Sequence, residues 1–262
     1  MDDPSDEKAR PNFRSILEVS ADYWIDAMGL AEHEIPEAVI VEGSWWRADR
    51  QAWRLSYLDD VRELGLPDLF WGRWNGRPVA FCMAYGAPRT VEVVYLFSML
   101  GAKLAVQIGT CGGLQSHLRP GDIVVPETAI PADGVATHFG SGAVRRATPA
   151  VVEAARAELE SRCSSSVYVG QHVTFSSLFA ESADMMDTWN REGLLSVEME
   201  TATTFAVAEQ YRTDAVSLLV VWDELTRGRR FSDPMSDAEL AALNEGNRHV
   251  YEVALALIEG LP

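Results

Sequence analysis

The chain has 262 residues, of which 47% are hydrophobic, and a formal net charge of −17. That length suits one large α/β domain without requiring a second. The charge excludes a nucleic-acid-binding surface, which must neutralise phosphates, and an anionic membrane surface. An anionic small molecule would need a local cationic pocket built against the protein's own field, so individual arginines matter more than the total.

Residues 1–12 (MDDPSDEKARPN) are charged and hold two prolines, which predicts a disordered acidic tail before a single domain over 13–262. Helical spacing predicts a helix over Phe13–Met28. Ala38–Val41 reads as a strand that stops at Gly43, and Arg47–Leu58 as a helix. Leu69–Trp74 and Val79–Ala84 flank Asn75-Gly76, a hairpin signal. Pro88 opens a helix through Thr90–Leu100 that Gly101 ends. Leu104–Ile108 is a buried strand closed by Gly109-Thr110-Cys111-Gly112-Gly113, and Gly121–Pro126 is another strand. Val151–Ser161 reads as a helix, Val167–Phe175 as a strand and Ala183–Arg191 as a helix. Leu194–Val197 is a short apolar strand that hands over to a helix reaching Tyr211. Ala215–Val221 is a strand ending at Trp222-Asp223, and Asp237–Ile258 closes the chain as a helix. Strands alternate with helices throughout, which predicts α/β class with a parallel or mixed sheet.

The three cysteines, Cys82, Cys111 and Cys163, lack metal or CxxC spacing and are expected to be reduced, in a cytoplasmic protein. The five histidines show no metal spacing either. No signal segment or membrane-spanning apolar run is expected.

Chemistry is expected where apolar strands end. Glu198, Met199 and Glu200 stand at one junction, and two carboxylates there are costly unless partnered. They also suit a solvated helix start, so both readings stay open. Gly43-Ser44-Trp45-Trp46-Arg47 and Gly86-Ala87-Pro88-Arg89-Thr90 each place an arginine near a helix start, as an oxyanion clamp or as an ordinary turn. Gly109–Gly113 leaves room for backbone contact with a ligand, but is neither a P-loop nor a dinucleotide fingerprint. Asp223, beside Trp222, suits a general acid with a raised pKa, or a turn cap. Arg227, Arg229 and Arg230 follow close enough in sequence to pair with it.

IGTCGGL with the following RPGDIVVP, the VEMETA block and the strand ending in Asp223 together give a resemblance. Over Ala38–Ile258 the chain resembles the nucleoside phosphorylase family, which includes hexameric purine nucleoside phosphorylases, uridine phosphorylases and methylthioadenosine nucleosidases. The resemblance implies a three-layer α/β/α fold with a central mixed sheet, and a homodimer or a hexamer built as a trimer of dimers. It implies a small-molecule nucleoside substrate, no cofactor, no metal, and inorganic phosphate as co-substrate. Gly43, Arg47 and Thr110 would hold phosphate, with Arg89 a possible substitute arginine. Met199 would pack on the ribose and Glu200 bind its hydroxyls, with Cys111 and Gly112 on the same side. Phe179 would stack on the base, with Val197, Glu198 and Trp222 beside it, and Asp223 would protonate purine N7.

The departures from the family pattern bear on the acceptor. Phosphorylases carry arginine where this chain has Gln107, and serine where it has Trp222. The neighbouring-subunit arginine has no clear counterpart, although Arg62 and Arg73 lie nearby in sequence, and the N-terminal histidine is missing. The nucleosidase branch also lacks the arginine and uses water, but it places an acid in the loop that here offers Arg47. Phosphorolysis is therefore the expectation, hydrolysis the alternative, and a non-catalytic nucleoside-binding protein the second alternative. The uracil-reading glutamine and arginine expected after Phe179 are absent from AESADMM, which points to a purine.

Overall fold

The computed structural model describes residues 15–262. The expected tail lies outside them, as do the first residues of the expected N-terminal helix. The remainder of that helix is divided: a 3-10 turn over Ile16–Glu18 is followed by α1 (Ala21–Met28), which the Ser20 hydroxyl caps and left-handed Gly29 ends. The other helices are α2 (Arg47–Leu55), α3 (Ala87–Met99), α4 (Pro149–Arg162), α5 (Ala183–Arg191), α6 (Thr201–Tyr211) and α7 (Asp237–Glu259). The strands are β1 (Ala38–Gly43), β2 (Asp59–Glu63), β3 (Leu69–Trp74), β4 (Arg77–Met83), β5 (Leu104–Gly113), β6 (Ile123–Ala132), β7 (Arg145–Arg146), β8 (Val167–Phe175), β9 (Ser196–Glu198) and β10 (Asp214–Glu224).

All ten strands join one mixed sheet. β5, β10, β6, β8 and β9 pair in sequence and return to β5, closing a ring. From β5 the sheet also runs outward through β1, β4, β3 and β2. Helices α3 and α6 pack together against it, as do α4 and α7, giving the expected three-layer α/β/α arrangement. Asn75 and Gly76 both have positive φ, as a tight hairpin between β3 and β4 requires.

Two strands run longer than their apolar cores suggest. β5 continues through the glycine stretch to Gly113, and β6 runs past Pro126 to Ala132. The glycines of β5 are therefore strand residues with little side-chain bulk, rather than a separate loop. β2 was not expected at all: its sequence, Asp-Asp-Val-Arg-Glu, is polar because it is a mostly exposed edge strand.

β5 exchanges neighbours along its length. β1 pairs with Leu104–Gly109 and stops there, whereas β9 pairs with Gly112 and Gly113. The two neighbours diverge between these points, and a cleft opens above the end of β1.

The end of β1 is fixed by a buried ion pair. Arg54 of α2 donates from Nε and Nη2 to the two carboxylate oxygens of Glu42, at 2.8 and 3.1 Å, with both side chains fully buried. Arg54 Nη1 also donates to the Asn247 carbonyl of α7 at 2.8 Å. This clamp sets where the Gly43–Trp46 loop leaves the sheet. Arg54→Met is expected to cost about 3–5 kcal/mol in urea unfolding, because it strands a buried carboxylate. The double variant Glu42→Leu with Arg54→Met is expected to lose less than Arg54→Met alone.

Candidate active site

The junction between β9 and α6 is built around the Glu198 carboxylate. Its Oε2 accepts the backbone N–H groups of Glu200 and Thr201, at 2.6 and 2.8 Å. Its Oε1 accepts the Thr174 hydroxyl at 2.7 Å and lies 2.9 Å from His172 Nε2. Burial works against ionisation, but the His172 hydrogen bond and charge, with Thr174 and the Glu200 amide, hold its pKa below the ordinary carboxylate range. Glu198 therefore caps α6, an otherwise buried helix with no serine or aspartate at its start. It lines the cleft with its carboxylate already committed.

Glu200 stands beside it in the cleft. Its carboxylate accepts the Gly86 N–H and lies so close to Gly43 that a Cβ there would overlap it. Gly43 is a glycine because of this approach. Burial, and the negative charge of Glu198 nearby, push the Glu200 pKa well above the ordinary value.

Asp223 reaches the cleft through an irregularity in β10. Its register against β5 shifts between Val221 and Asp223, so Trp222 is an extra residue that re-aims the side chain after it. Burial pushes the Asp223 carboxyl up to about 7. The arginines that follow do not pair with it, contrary to one sequence expectation. Arg227 and Arg229 bind Glu224, Arg229 also binds Glu239, and the Arg230 N–H donates to Asp233.

Glu200, Met199 and Asp223 converge on one cleft with Thr110, Cys111 and Gly112, and Gly43, Val197 and Trp222 complete the expected lining. The cleft has a cavity volume of about 110 Å³. Burial pushes the Cys111 thiol far up, which leaves it an apolar wall rather than a nucleophile.

Four expected residues do not line it. Arg47 pairs with Asp68 at the surface. Arg89 binds Glu92 and the Pro67 carbonyl. Gln107 is fully buried and binds the hydroxyls of Thr201 and Ser217 and the Ile108 carbonyl, so it ties β5 to α6 and β10. Phe179 is 84% exposed and stacks on Trp45 at the rim, with ring centroids 6.2 Å apart.

Sequence reasoning missed Tyr85, Glu181 and Phe231, which also line the cleft. Trp45 gathers this end: it donates to the Tyr85 hydroxyl and meets Phe231 edge-on at 4.9 Å. Trp46 stacks on Trp222 at 4.5 Å. Glu181 is half-buried, and burial together with the charge of Asp223 pushes it up to about 7. No local pattern in Glu181-Ser182-Ala183-Asp184 distinguishes the first acid, because its surroundings come from β10. Among the described residues, no lysine, arginine or histidine lines the cleft.

A family model described as the phosphorylase superfamily matches residues 65–259. The chain belongs to the phosphorylase superfamily. This phosphorylase-superfamily chain is 28% identical over 204 residues to a guanosine phosphorylase of Halorubrum lacusprofundi, covering 76% of this chain and 83% of that protein. It is 28% identical over 223 residues to a DeoD-type purine nucleoside phosphorylase of Roseobacter denitrificans, covering 81% of this chain and 92% of that one. Among solved structures, a uridine phosphorylase from Vibrio fischeri has the same fold, with TM-score 0.76, 22% identity, and coverage of 88% of this chain and 95% of that one.

Two outcomes follow from this superfamily site. Gly43→Ala is expected to lower stability by about 1–3 kcal/mol by overpacking against Glu200, readable as a lower urea midpoint. Asp223 binds its proton more tightly when folded than its ordinary carboxylate value allows, so it destabilises the fold as pH rises through about 7. Asp223→Asn is therefore expected to be more stable than wild type at about pH 8, by on the order of a few kcal/mol, with the gain shrinking as pH falls.

Proposed function

We propose that the protein cleaves the N-glycosidic bond of a purine nucleoside, with inorganic phosphate as acceptor, releasing free base and ribose 1-phosphate. The observation that carries this reading is the shared cleft of Glu200 and Asp223, with Asp223 able to hold a proton near neutral pH. Glu200 and Met199 take the ribose, and Asp223 faces the base. As the C1′–N9 bond breaks, its electron pair passes to the base, and Asp223 delivers its proton to N7. The sugar gains oxocarbenium character while a phosphate oxygen attacks C1′. The names of the relatives, including a guanosine and several purine nucleoside phosphorylases, support the purine and the phosphate.

One observation favours a second reading, in which water replaces phosphate. The cleft lining among the described residues carries no cationic side chain, and Arg47 and Arg89 are engaged elsewhere.

Incubation with inosine, guanosine, adenosine and uridine, with and without phosphate, separates these readings. Base release that requires phosphate and yields ribose 1-phosphate supports phosphorolysis. Equal release without phosphate means hydrolysis, and no release from any nucleoside leaves a binding protein. Uridine as best substrate would overturn the purine assignment. For Asp223→Asn, kcat with a purine nucleoside is expected to fall by about 10²–10⁴. The wild-type kcat/KM is expected to decline as pH rises through about 7, where the acid loses its proton.

A further inference from the structure

A second cavity, of about 440 Å³, lies at the end of α6 far from Glu200, between the last turns of that helix, β7 and the loop before β7. Both residues of β7, Arg145 and Arg146, line it. Arg145 is 3% exposed. Its Nη2 donates to the carbonyls of Gly140 and Ala136, at 2.6 and 3.1 Å, and its Nε is buried without a partner. Among the described residues, no carboxylate pairs with Arg145 or with the exposed Arg146 beside it. The loop closes tightly round the buried guanidinium. A Cβ at Gly142 would stand 3.1 Å from Nη1, and one at Gly140, whose φ is +105°, would stand 3.5 Å from it. Arg54, buried elsewhere in the molecule, is matched by Glu42. Two carbonyls need only a neutral donor, so a buried cation at Arg145 leaves a charge to be compensated.

We propose that this cavity binds a phosphoryl group, as inorganic phosphate or as a phosphate monoester, between Arg145 and Arg146. The site is separate from the cleft and does not depend on the reaction proposed there. In a chain of net charge −17, an anion is held only where cations are gathered locally, and here two adjacent arginines stand together without acid partners. A single guanidinium satisfies both oxygens of a carboxylate, which would leave the second arginine unmatched. A phosphoryl group carries about −1.5 to −2 at pH 7 and several acceptor oxygens, so it matches both arginines, with the Ser141 hydroxyl of the lining as a further donor. Glu209 is the one acid in the lining, and it is exposed, so solvent screens its repulsion. The cavity is roomier than an inorganic ion needs, and Phe139 and Val144 offer apolar surface to the carbon part of an ester.

The test is calorimetric titration of inorganic phosphate, ribose 5-phosphate and ribose into wild type, Arg146→Ala and Gly142→Leu. Wild type is expected to bind both phosphoryl compounds and not ribose. Arg146→Ala removes an exposed side chain, so the fold is kept while affinity is expected to fall by on the order of tenfold. Gly142→Leu fills the space against Arg145 Nη1 and is expected to abolish binding. Tighter binding of ribose 5-phosphate than of phosphate identifies an ester as the ligand. Equal or tighter binding of phosphate identifies the free anion.

Phosphate is also the acceptor proposed for the cleft, but neither Arg146 nor Gly142 lines that cleft. Binding there would be the same in wild type and in both variants, so the substitutions tell the two sites apart. The titration needs no turnover, and a wild type that cleaves no nucleoside leaves its expected result unchanged. Absence of phosphoryl binding in wild type, or affinities that both folded variants retain, would overturn the proposal.

Discussion

The architecture of the site depends on one carboxylate that does no chemistry in the proposed reaction. Glu198 collects two amides from the start of α6, the Thr174 hydroxyl and the His172 ring, and so joins β8, β9 and α6 at one point. A helix buried along its first eight residues leaves its N-terminal amides without solvent, and they need an acceptor from the protein. Because Glu198 fills that need, Glu200, in the bend between β9 and α6, is left to reach Gly43 and Gly86. The two acids of the Glu-Met-Glu block therefore have different work: one holds the helix and the other faces the cleft.

The cleft concentrates negative groups at a cost to the fold. Glu181, Glu200 and Asp223 have raised pKa values, each with burial as the first cause, and each would ionise more readily in the unfolded chain. The aromatic rings of Trp45, Trp46, Tyr85, Trp222 and Phe231 line the same region, and apolar surface beside a carboxylate disfavours its charged form. A protein that kept these groups only for stability would replace them with apolar residues. Their retention in one place is what a site for proton delivery and polar recognition requires.

Much of the fold was legible because its signals are local. The apolar runs of β1, β8 and β10, the hairpin turn at Asn75-Gly76 and the ends of α5 needed no tertiary information. The Glu198–Glu200 junction, the glycines of β5 and Asp223 were legible for the same reason: a polar residue or glycine at the end of an apolar strand is conspicuous. Where pairing across the fold decides, sequence alone was a poor guide. Arg47 and Arg89 looked like anion ligands because each lies near a helix start, but Asp68, and Glu92 with the Pro67 carbonyl, take up their guanidinium groups. Gln107 looked like a replacement in a phosphate site, yet two hydroxyls from α6 and β10 draw it into the core. Glu181 gave no signal, since its isolation from hydrogen-bonding partners emerges only once its loop lies beside β10.

The closed ring of strands has a consequence for how molecules of this protein meet. The outward run of the described sheet ends at the edge strand β2, which carries Asp59, Asp60, Arg62 and Glu63. The backbone groups of this edge are thus carried on a ribbon studded mostly with acid, in a chain of net charge −17. End-to-end strand addition, the usual route from a sheet protein to a fibre, meets like charge at its first step. The same acidity that burdens the cleft guards the rim against aggregation.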